Sequence, residues 1–177
     1  MAKAKTAAFT ISEQVTYVPA GAPTVATVSI GSLIDVGDAQ ALEVLKVDWL
    51  IQGYDRANND YEPLSMSIFA AESAIAMQLT DKNSSDLISA ADNNLIASGN
   101  FNITAAGATS EAADFYPDDF SRDGRFVVND EMYLIVKGVG SFDADREARV
   151  TARVTARVVK LSTRDWMAIS LETVQNE

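Results

Sequence analysis

The sequence predicts an all-β fold, an antiparallel β-sandwich of about eight strands in Greek-key or jelly-roll order, with a short C-terminal helix. Turn-forming residues recur every ten to fifteen residues, and the stretches between them are rich in Val, Ile, Thr, Phe and Tyr. Several of those stretches alternate apolar and polar residues with the two-residue period of a strand. The longest alternating stretch, residues 148–161, is the strongest of these signals.

Residues 148–161 read ARVTARVTARVVKL. Alanine and valine occupy the even positions from 148 to 158, and Arg149, Arg153 and Arg157 share the odd positions with threonine. Because successive strand side chains point to opposite faces, this segment predicts one apolar face and one face of arginine and threonine. A helix would stack the arginines in a column, but the abundance of Val and Thr favours a strand. At roughly 3.3 Å per residue the strand would span about 45 Å, enough to cross a domain or meet a neighbouring subunit.

The other strands are justified by the same alternation between turns. Residues 42–52 are the best internal case, since Leu45, Val47, Trp49 and Ile51 fall on one face of an uninterrupted strand. The last strand before the arginine strand is expected to be interrupted at Asn129. In chain order, the predicted strands cover residues 9–18, 24–30, 42–52, 63–69, 74–79, 94–104, 125–136 and the arginine strand.

Two short helical segments are predicted. Residues 86–91 would form one or two turns capped by Ser84 or Ser85, because serine satisfies free N–H groups at helix starts. Residues 162–165 resemble a capping box with Asp165 in place of glutamate, which predicts a terminal helix over residues 164–172. That helix would bury Trp166 and Ile169, with Met167 as a further candidate.

The length of 177 residues fits one domain, which we assign to residues 9–177. Residues 1–8 are small and carry only Lys3 and Lys5 as charges, which predicts a flexible N-terminal arm that could reach a neighbouring copy. No apolar run approaches the roughly 18–20 residues of a membrane-spanning helix, and the N-terminus lacks the apolar core of a secretion signal. The expected site of synthesis is therefore the cytoplasm of a cell.

The chain contains no cysteine and no histidine. This removes disulfides, thiolate metal sites, cysteine nucleophiles and the commonest general base and zinc ligand. We therefore expect a protein that is not an enzyme and that needs no organic cofactor.

The net charge of −11 is unevenly distributed. Residues 1–145 carry 8 basic and 21 acidic side chains, whereas residues 146–177 carry 6 basic and 4 acidic ones. A generic nucleic-acid binder would carry a broad basic surface, so weak or no direct nucleic-acid binding is expected. The imbalance suits contact between an acidic surface and the arginine strip, within one molecule or between copies.

Residues 105–124 form the longest section without a strand pattern, and long loops are often sites of binding or assembly. Within it, Asp114, Asp118, Asp119 and Asp123 are a candidate calcium site, because Ca²⁺ takes six to eight oxygen ligands from flexible loops. The spacing is not that of an EF-hand. The alternative is a solvated turn whose aromatic residues pack against the sandwich edge. A second acidic segment, residues 142–147, reads as a hairpin loop.

Arg149, Arg153 and Arg157 admit three interpretations. They could line a solvated outer face, paired with acidic residues on the adjacent strand. They could belong to a subunit interface, where arginine is enriched, together with Lys3 and Lys5 of the arm. They could also contact phosphate of packaged nucleic acid, although three charges on so acidic a chain would bind weakly at physiological salt.

The overall layout resembles that of single jelly-roll coat proteins of small icosahedral viruses. The stretches that carry the resemblance are residues 115–120 (FYPDDF), 124–133 (GRFVVNDEMY) and 158–171 (VVKLSTRDWMAISL), within an organisation that extends over residues 9–172. The resemblance implies a capsid subunit that self-associates in many copies, located in the virion and able to meet other capsid proteins. The chain departs from many such coats in its short and barely basic arm.

The alternative function belongs to a different class of protein. In this interpretation the chain is a non-catalytic β-sandwich binding module that recognises carbohydrate with the help of a calcium-dependent loop. That alternative predicts an exposed aromatic platform. Self-association in solution would favour the capsid interpretation, and glycan binding would favour the module.

Overall fold

A computed structural model of the chain describes residues 2–17, 22–63, 73–103, 109–110, 125–139 and 145–174. Within these residues the chain forms eleven strands, one 3₁₀ turn at Val36–Asp38 and one C-terminal helix. The strands are β1 (Lys3–Ala4), β2 (Phe9–Tyr17), β3 (Thr24–Ser29), β4 (Gln40–Asp55), β5 (Asp60–Glu62), β6 (Ser73–Thr80), β7 (Leu95–Ile103), β8 (Thr109–Ser110), β9 (Arg125–Val127), β10 (Glu131–Val139) and β11 (Arg146–Lys160), and the helix is α1 (Thr163–Val174).

The strands pair as a long hairpin that has been rolled into two sheets. The first long strand, β2, pairs with the last, β11; β3 pairs with β10, β4 with β9 and β6 with β7, all antiparallel. Sheet A then has the order β2-β11-β4-β9, and sheet B the order β3-β10-β6-β7. This nested order of eight strands in two packed sheets is that of a jelly roll, so the predicted fold class is confirmed.

Three short strands extend the two sheets. β1 lies in line with β2 and pairs with the end of β11, and β5 forms a hairpin with the end of β4. β8 adds a two-residue edge to β7. They lengthen the sheet edges without changing the eight-strand order.

The two longest strands, β4 and β11, run side by side through the centre of sheet A. Their register shifts at Thr155/Ala156, where Leu45 is left without a partner. The bulge changes which residues face the core, from Leu42 and Val44 before it to Val47 after it. The prediction that Leu45 shares a core face with Val47 is therefore wrong, because alternation continues through a strand only while its pairing is unbroken.

The even-numbered residues of β11 from 148 to 158 form the centre of the core, as predicted. Ala148, Val150, Ala152, Val154, Ala156 and Val158 are all at most 4% exposed. Each buried valine contributes roughly 1.5–3 kcal/mol relative to an exposed one. Trp49 on β4 packs against both main clusters of buried residues and so connects the two halves of the core.

Residues 86–91 are not helical, contrary to the prediction. Instead, Gln78 on β6 holds Ile88 at both backbone groups: its Nε2 donates to the Ile88 carbonyl at 2.9 Å, and its Oε1 accepts from the Ile88 N–H at 2.8 Å. Lys137 on β10 binds Asp86 from the same sheet. The segment lies across sheet B because these tertiary bonds replace those that a helix would make within itself.

The C-terminal helix α1 is confirmed over slightly more residues than predicted. Ser162 Oγ accepts from the backbone N–H of Asp165 at 3.2 Å, as expected for a helix start. Trp166 and Ile169 pack on a small buried cluster at one end of the sandwich. Met167 is 55% exposed, so its expected burial is wrong.

Three predictions fall wholly or mainly outside the described residues. They are the strand over residues 63–69 apart from Pro63, the unpatterned section 105–124 apart from β8, and residues 142–144 of the hairpin loop predicted at 142–147.

Candidate assembly surface

The odd-numbered residues of β11 from Arg149 to Arg157 lie on the outer face of sheet A, between β2 and β4. Arg149 is opposite Thr16 and Gln52, Arg153 is opposite Ser12 and Asp48, and Arg157 is opposite Glu43. We call these three arginines and their cross-strand neighbours the arginine face. They sit about 13 Å apart along the strand at roughly 3.3 Å per residue, so each has its own surroundings.

Arg157 is tied to a buried carboxylate. Its Nε donates to Glu43 Oε2 at 2.6 Å, and its Nη2 donates to Glu43 Oε1 at 3.1 Å. Glu43 is only 7% exposed. The hydrogen bonds to Glu43, followed by its negative charge, raise the pKa of Arg157 above its ordinary value. The ion pair between Arg157 and Glu43 therefore links β11 to β4 within sheet A.

Arg149 is held by a cluster of aromatic and acidic groups. Its Nη1 donates to the Tyr61 hydroxyl at 2.8 Å, and its Nε and Nη2 both donate to Glu147 Oε1 at 3.1 Å. The guanidinium carbon lies 3.4 Å from the ring centroid of Tyr54. Burial lowers the pKa of Arg149, but the hydrogen bonds to Tyr61 and Glu147 outweigh it, so the pKa is raised overall.

The turn between β4 and β5 positions these tyrosines. Asp55 Oδ1 accepts from the Ala57 N–H at 2.8 Å, and its Oδ2 accepts from Asn58 Nδ2 at 2.8 Å. Arg146 binds Asp55 Oδ2 at 3.1 Å and also contacts Glu62. The Asn58 side-chain hydrogen bond is the main cause of a lowered Asp55 pKa. The closed hairpin places the rings of Tyr54 and Tyr61 edge to face, with centroids 5.2 Å apart.

Arg153 differs from its two neighbours. Its side chain is exposed and makes no ion pair with any residue that the structure describes. Its cross-strand neighbour Asp48 contacts Lys46 instead. Of the three arginines, Arg153 is thus the one whose charge remains available to an external partner.

Lys3 and Lys5 lie at the far end of β11. Lys3 is opposite Lys160, and the Lys5 N–H donates to the Val158 carbonyl at 2.8 Å. Thr6 Oγ1 accepts from the Val158 N–H at 3.0 Å. Both lysine residues are exposed. The arm follows the edge of sheet A in this structure, and its flexibility and its role in an interface stay predictions.

The proposed calcium ligands Asp114, Asp118, Asp119 and Asp123 lie outside the described residues, so that site stays a prediction. In the part of the chain that the structure describes, no group of three acidic residues is placed to hold a metal ion. Within the same part, no helix is long and apolar enough to span a bilayer.

Sequence reasoning missed a buried polar cluster at the end of β6. Asp81 is 3% exposed and lies 3.4 Å from Arg125 Nη2. Its backbone carbonyl accepts from Asn129 Nδ2 at 2.6 Å, and its backbone N–H donates to the Asn94 carbonyl at 3.1 Å. Burial raises the pKa of Asp81, and Arg125 lowers it less. The available signal was an aspartate directly after the uncharged strand β6.

Similarity of this chain to known proteins is found among solved structures. No protein-family model and no curated protein sequence matches it. Among solved structures, a chain of turnip yellow mosaic virus is 10% identical, with a TM-score of 0.37, over 89% of this chain and 97% of that one. The VP1 pentamer of Washington University polyomavirus, solved unassembled, is 7% identical, with a TM-score of 0.38, over 90% and 98% of the two chains.

A second structure of turnip yellow mosaic virus is 9% identical, with a TM-score of 0.33, over 90% of this chain and 85% of that one. The jelly-roll assignment rests on the strand pairing of this chain itself.

Proposed function

We propose that this chain is a structural virion protein, a capsid subunit that assembles in many copies into an icosahedral shell. The observation that carries the proposal is the arginine face. Two of its arginines are used within the subunit, and the third, Arg153, is exposed and free of described partners. A chain with a net charge of −11 offers acidic surface on each neighbouring copy that such a cation could contact.

The proposed mechanism involves no turnover. Identical subunits associate around closed symmetry axes through sheet edges, the arm and the outer face of sheet A. Other capsid proteins could join the same shell. Direct contact with the genome would be weak, because the outward arginines are few and the chain is acidic. The protein would be made in the host cytoplasm and located in the virion.

Purified chain, examined by negative-stain microscopy and by light scattering after size exclusion, tests the proposal. Closed particles or discrete oligomers of many copies are the expected result. A strict monomer across low and high salt, with and without calcium, would overturn it.

One observation favours the second candidate, a carbohydrate-binding module. Tyr61 is 48% exposed and lies beside Tyr54, which provides some aromatic surface. However, the Arg149 guanidinium covers the Tyr54 ring, and the two rings meet at an interplanar angle of 70° rather than forming a flat platform. Glycan-array binding that is lost in Tyr61→Ala would support the module.

A further inference from the structure

Among the residues that the structure describes, the edge of sheet B at β3 is open and regular. β3 pairs with β10 through an unbroken register from Thr24, opposite Val136, to Ser29, opposite Glu131. No other described strand pairs with β3. Val25, Thr27 and Ser29 are exposed, so the strand is accessible from solvent. The outer edge of such a strand presents alternate N–H and C=O groups that can pair with another strand.

β3 also lies within the longest uncharged stretch of the chain. Residues 14–34 contain no Asp, Glu, Lys or Arg, although these residues make up 22% of the sequence. The edge strands of sheet A carry charge: β2 contains Glu13, β5 contains Asp60 and Glu62, and β9 contains Arg125. β3 therefore presents a smaller electrostatic obstacle than the edges of sheet A to the approach of a second molecule with a net charge of −11.

Natural edge strands are usually protected against pairing by a lysine, a proline, a bulge or a covering segment. β3, with the sequence TVATVS, has neither charge nor proline, and its register with β10 has no bulge. The opposite edge of sheet B is different. β7 is also uncharged, but Leu95 and Ile96 are at most 4% exposed, and β8 pairs with its far end. Within the described part of the chain, β3 is thus an open and unprotected edge of sheet B.

We propose that β3 is a contact between two copies of this chain, in which the two β3 strands pair antiparallel across a two-fold axis. Antiparallel pairing of a strand with its own copy is self-complementary, as a two-fold interface requires. It would join the two copies of sheet B into one continuous sheet, with backbone hydrogen bonds supplying the attraction. This inference rests on the proposed function, because it names one surface through which the subunits assemble.

Two substitutions at Thr27 test the contact. Thr27→Lys places a charge on the exposed edge, and Thr27→Val is the matched control, since it keeps β-propensity and adds no charge. Lysine also reduces the net negative charge, so a loss of association could not come from general repulsion. Sedimentation velocity should show that Thr27→Lys lowers the fraction of assembled chain at least tenfold, while Thr27→Val assembles like the wild type. Circular dichroism and the melting temperature establish that both variants are folded.

Single cysteines give a second measurement, because the chain has none of its own. In a two-fold pairing of β3, the residue at the axis faces its own copy at a distance that permits a disulfide, roughly 4.4–6.8 Å between Cα atoms. Oxidation of Cys variants at positions 25, 26, 27 and 28 should yield a crosslinked dimer at the central position. No dimer at any of the four positions would overturn the proposal.

The outcomes separate the two proposals. If the wild type assembles and Thr27→Lys assembles equally well, the β3 contact is wrong and the capsid function stands. If the wild type remains monomeric under every condition, the capsid function fails, and the β3 contact fails with it.

Discussion

Arg157 and Glu43 form a two-point ion pair across β11 and β4, with N···O distances of 2.6 and 3.1 Å. Arg153, four residues earlier on the same face, is opposite Asp48 yet makes no ion pair with it. Arg157 thus stabilises the subunit through its ion pair, whereas Arg153 is exposed on the surface of the same strand.

Removing Arg157 should therefore cost far more stability than removing Arg153. Arg157→Ala leaves the buried carboxylate of Glu43 without its donor, which is expected to lower the free energy of unfolding by clearly more than Arg153→Ala does. Arg153→Ala, the matched control, should stay within roughly 0.5 kcal/mol of the wild type. Urea unfolding of both variants measures the difference, and equal losses would contradict the assignment.

Arg153→Ala and Arg153→Glu should instead affect assembly, if the arginine face meets acidic surface on a neighbouring copy. Charge reversal is expected to weaken association more than neutralisation, and raising the salt concentration should reduce the difference because exposed charges are screened. Light scattering at low and high salt follows both variants. Assembly that is unchanged by Arg153→Glu at low salt would exclude this residue from the interface.

Gly138 on β10 faces the core where no side chain fits. A Cβ there would lie 2.6 Å from the Ala74 carbonyl oxygen and 2.8 Å from the Tyr17 ring. Gly138→Ala must move backbone or a buried ring, so a loss of about 1–3 kcal/mol is expected. At Gly37, a Cβ would meet only the Asp35 carboxylate, at 3.2 Å, which makes Gly37→Ala the milder control. Thermal unfolding compares the two, and a neutral Gly138→Ala would show that this packing is looser than described.

Asp81 and Asp86 should give opposite pH dependence. Burial raises the pKa of Asp81 on folding, so the wild type loses stability relative to Asp81→Asn as the pH rises through the ordinary and the raised pKa. The hydrogen bond from Lys137 lowers the pKa of Asp86. The wild type therefore gains stability over Asp86→Asn above the ordinary carboxyl pKa and loses that advantage as the pH falls.

The opposite pH dependences are tested by urea unfolding of the wild type and both Asn variants between about pH 3 and pH 7. The quantity compared is the difference in urea midpoint between the wild type and each variant. The two difference curves should slope in opposite directions. Parallel slopes would mean that Arg125 compensates the buried charge of Asp81 more fully than its 3.4 Å contact indicates.

Calcium binding by the acidic loop also stays open to a direct test. If Asp114, Asp118, Asp119 and Asp123 hold Ca²⁺, millimolar calcium should raise the melting temperature, because a ligand that binds only the folded state stabilises it. The paired substitution of Asp118 and Asp119 by Asn should remove that shift, and magnesium serves as the ion control. An unchanged melting temperature in calcium would exclude the site.

The face on which the three arginines lie was predictable from the sequence. Which of them are bound within the subunit was not. Alternation in residues 148–161 was sufficient to place Arg149, Arg153 and Arg157 on one outward face. Which of them is engaged depends on Glu43, Glu147 and Tyr61, and register brings Glu43 and Tyr61 there from other strands. The bulge at Leu45 and the buried Asp81 were missed for the same reason, since both depend on long-range pairing rather than on local pattern.

The sequence by itself determined that the chain is built from strands, that β11 has one apolar and one cationic face, and that a capped helix follows it. Those features are local, because side-chain direction in a strand and capping at a helix start depend on neighbours within a few residues. Only the tertiary structure decided the nested pairing of first strand with last and, within the described residues, left Arg153 without an ion pair and β3 without a second neighbouring strand. Each of these depends on which distant strand becomes a neighbour, and packing of the whole core decides that.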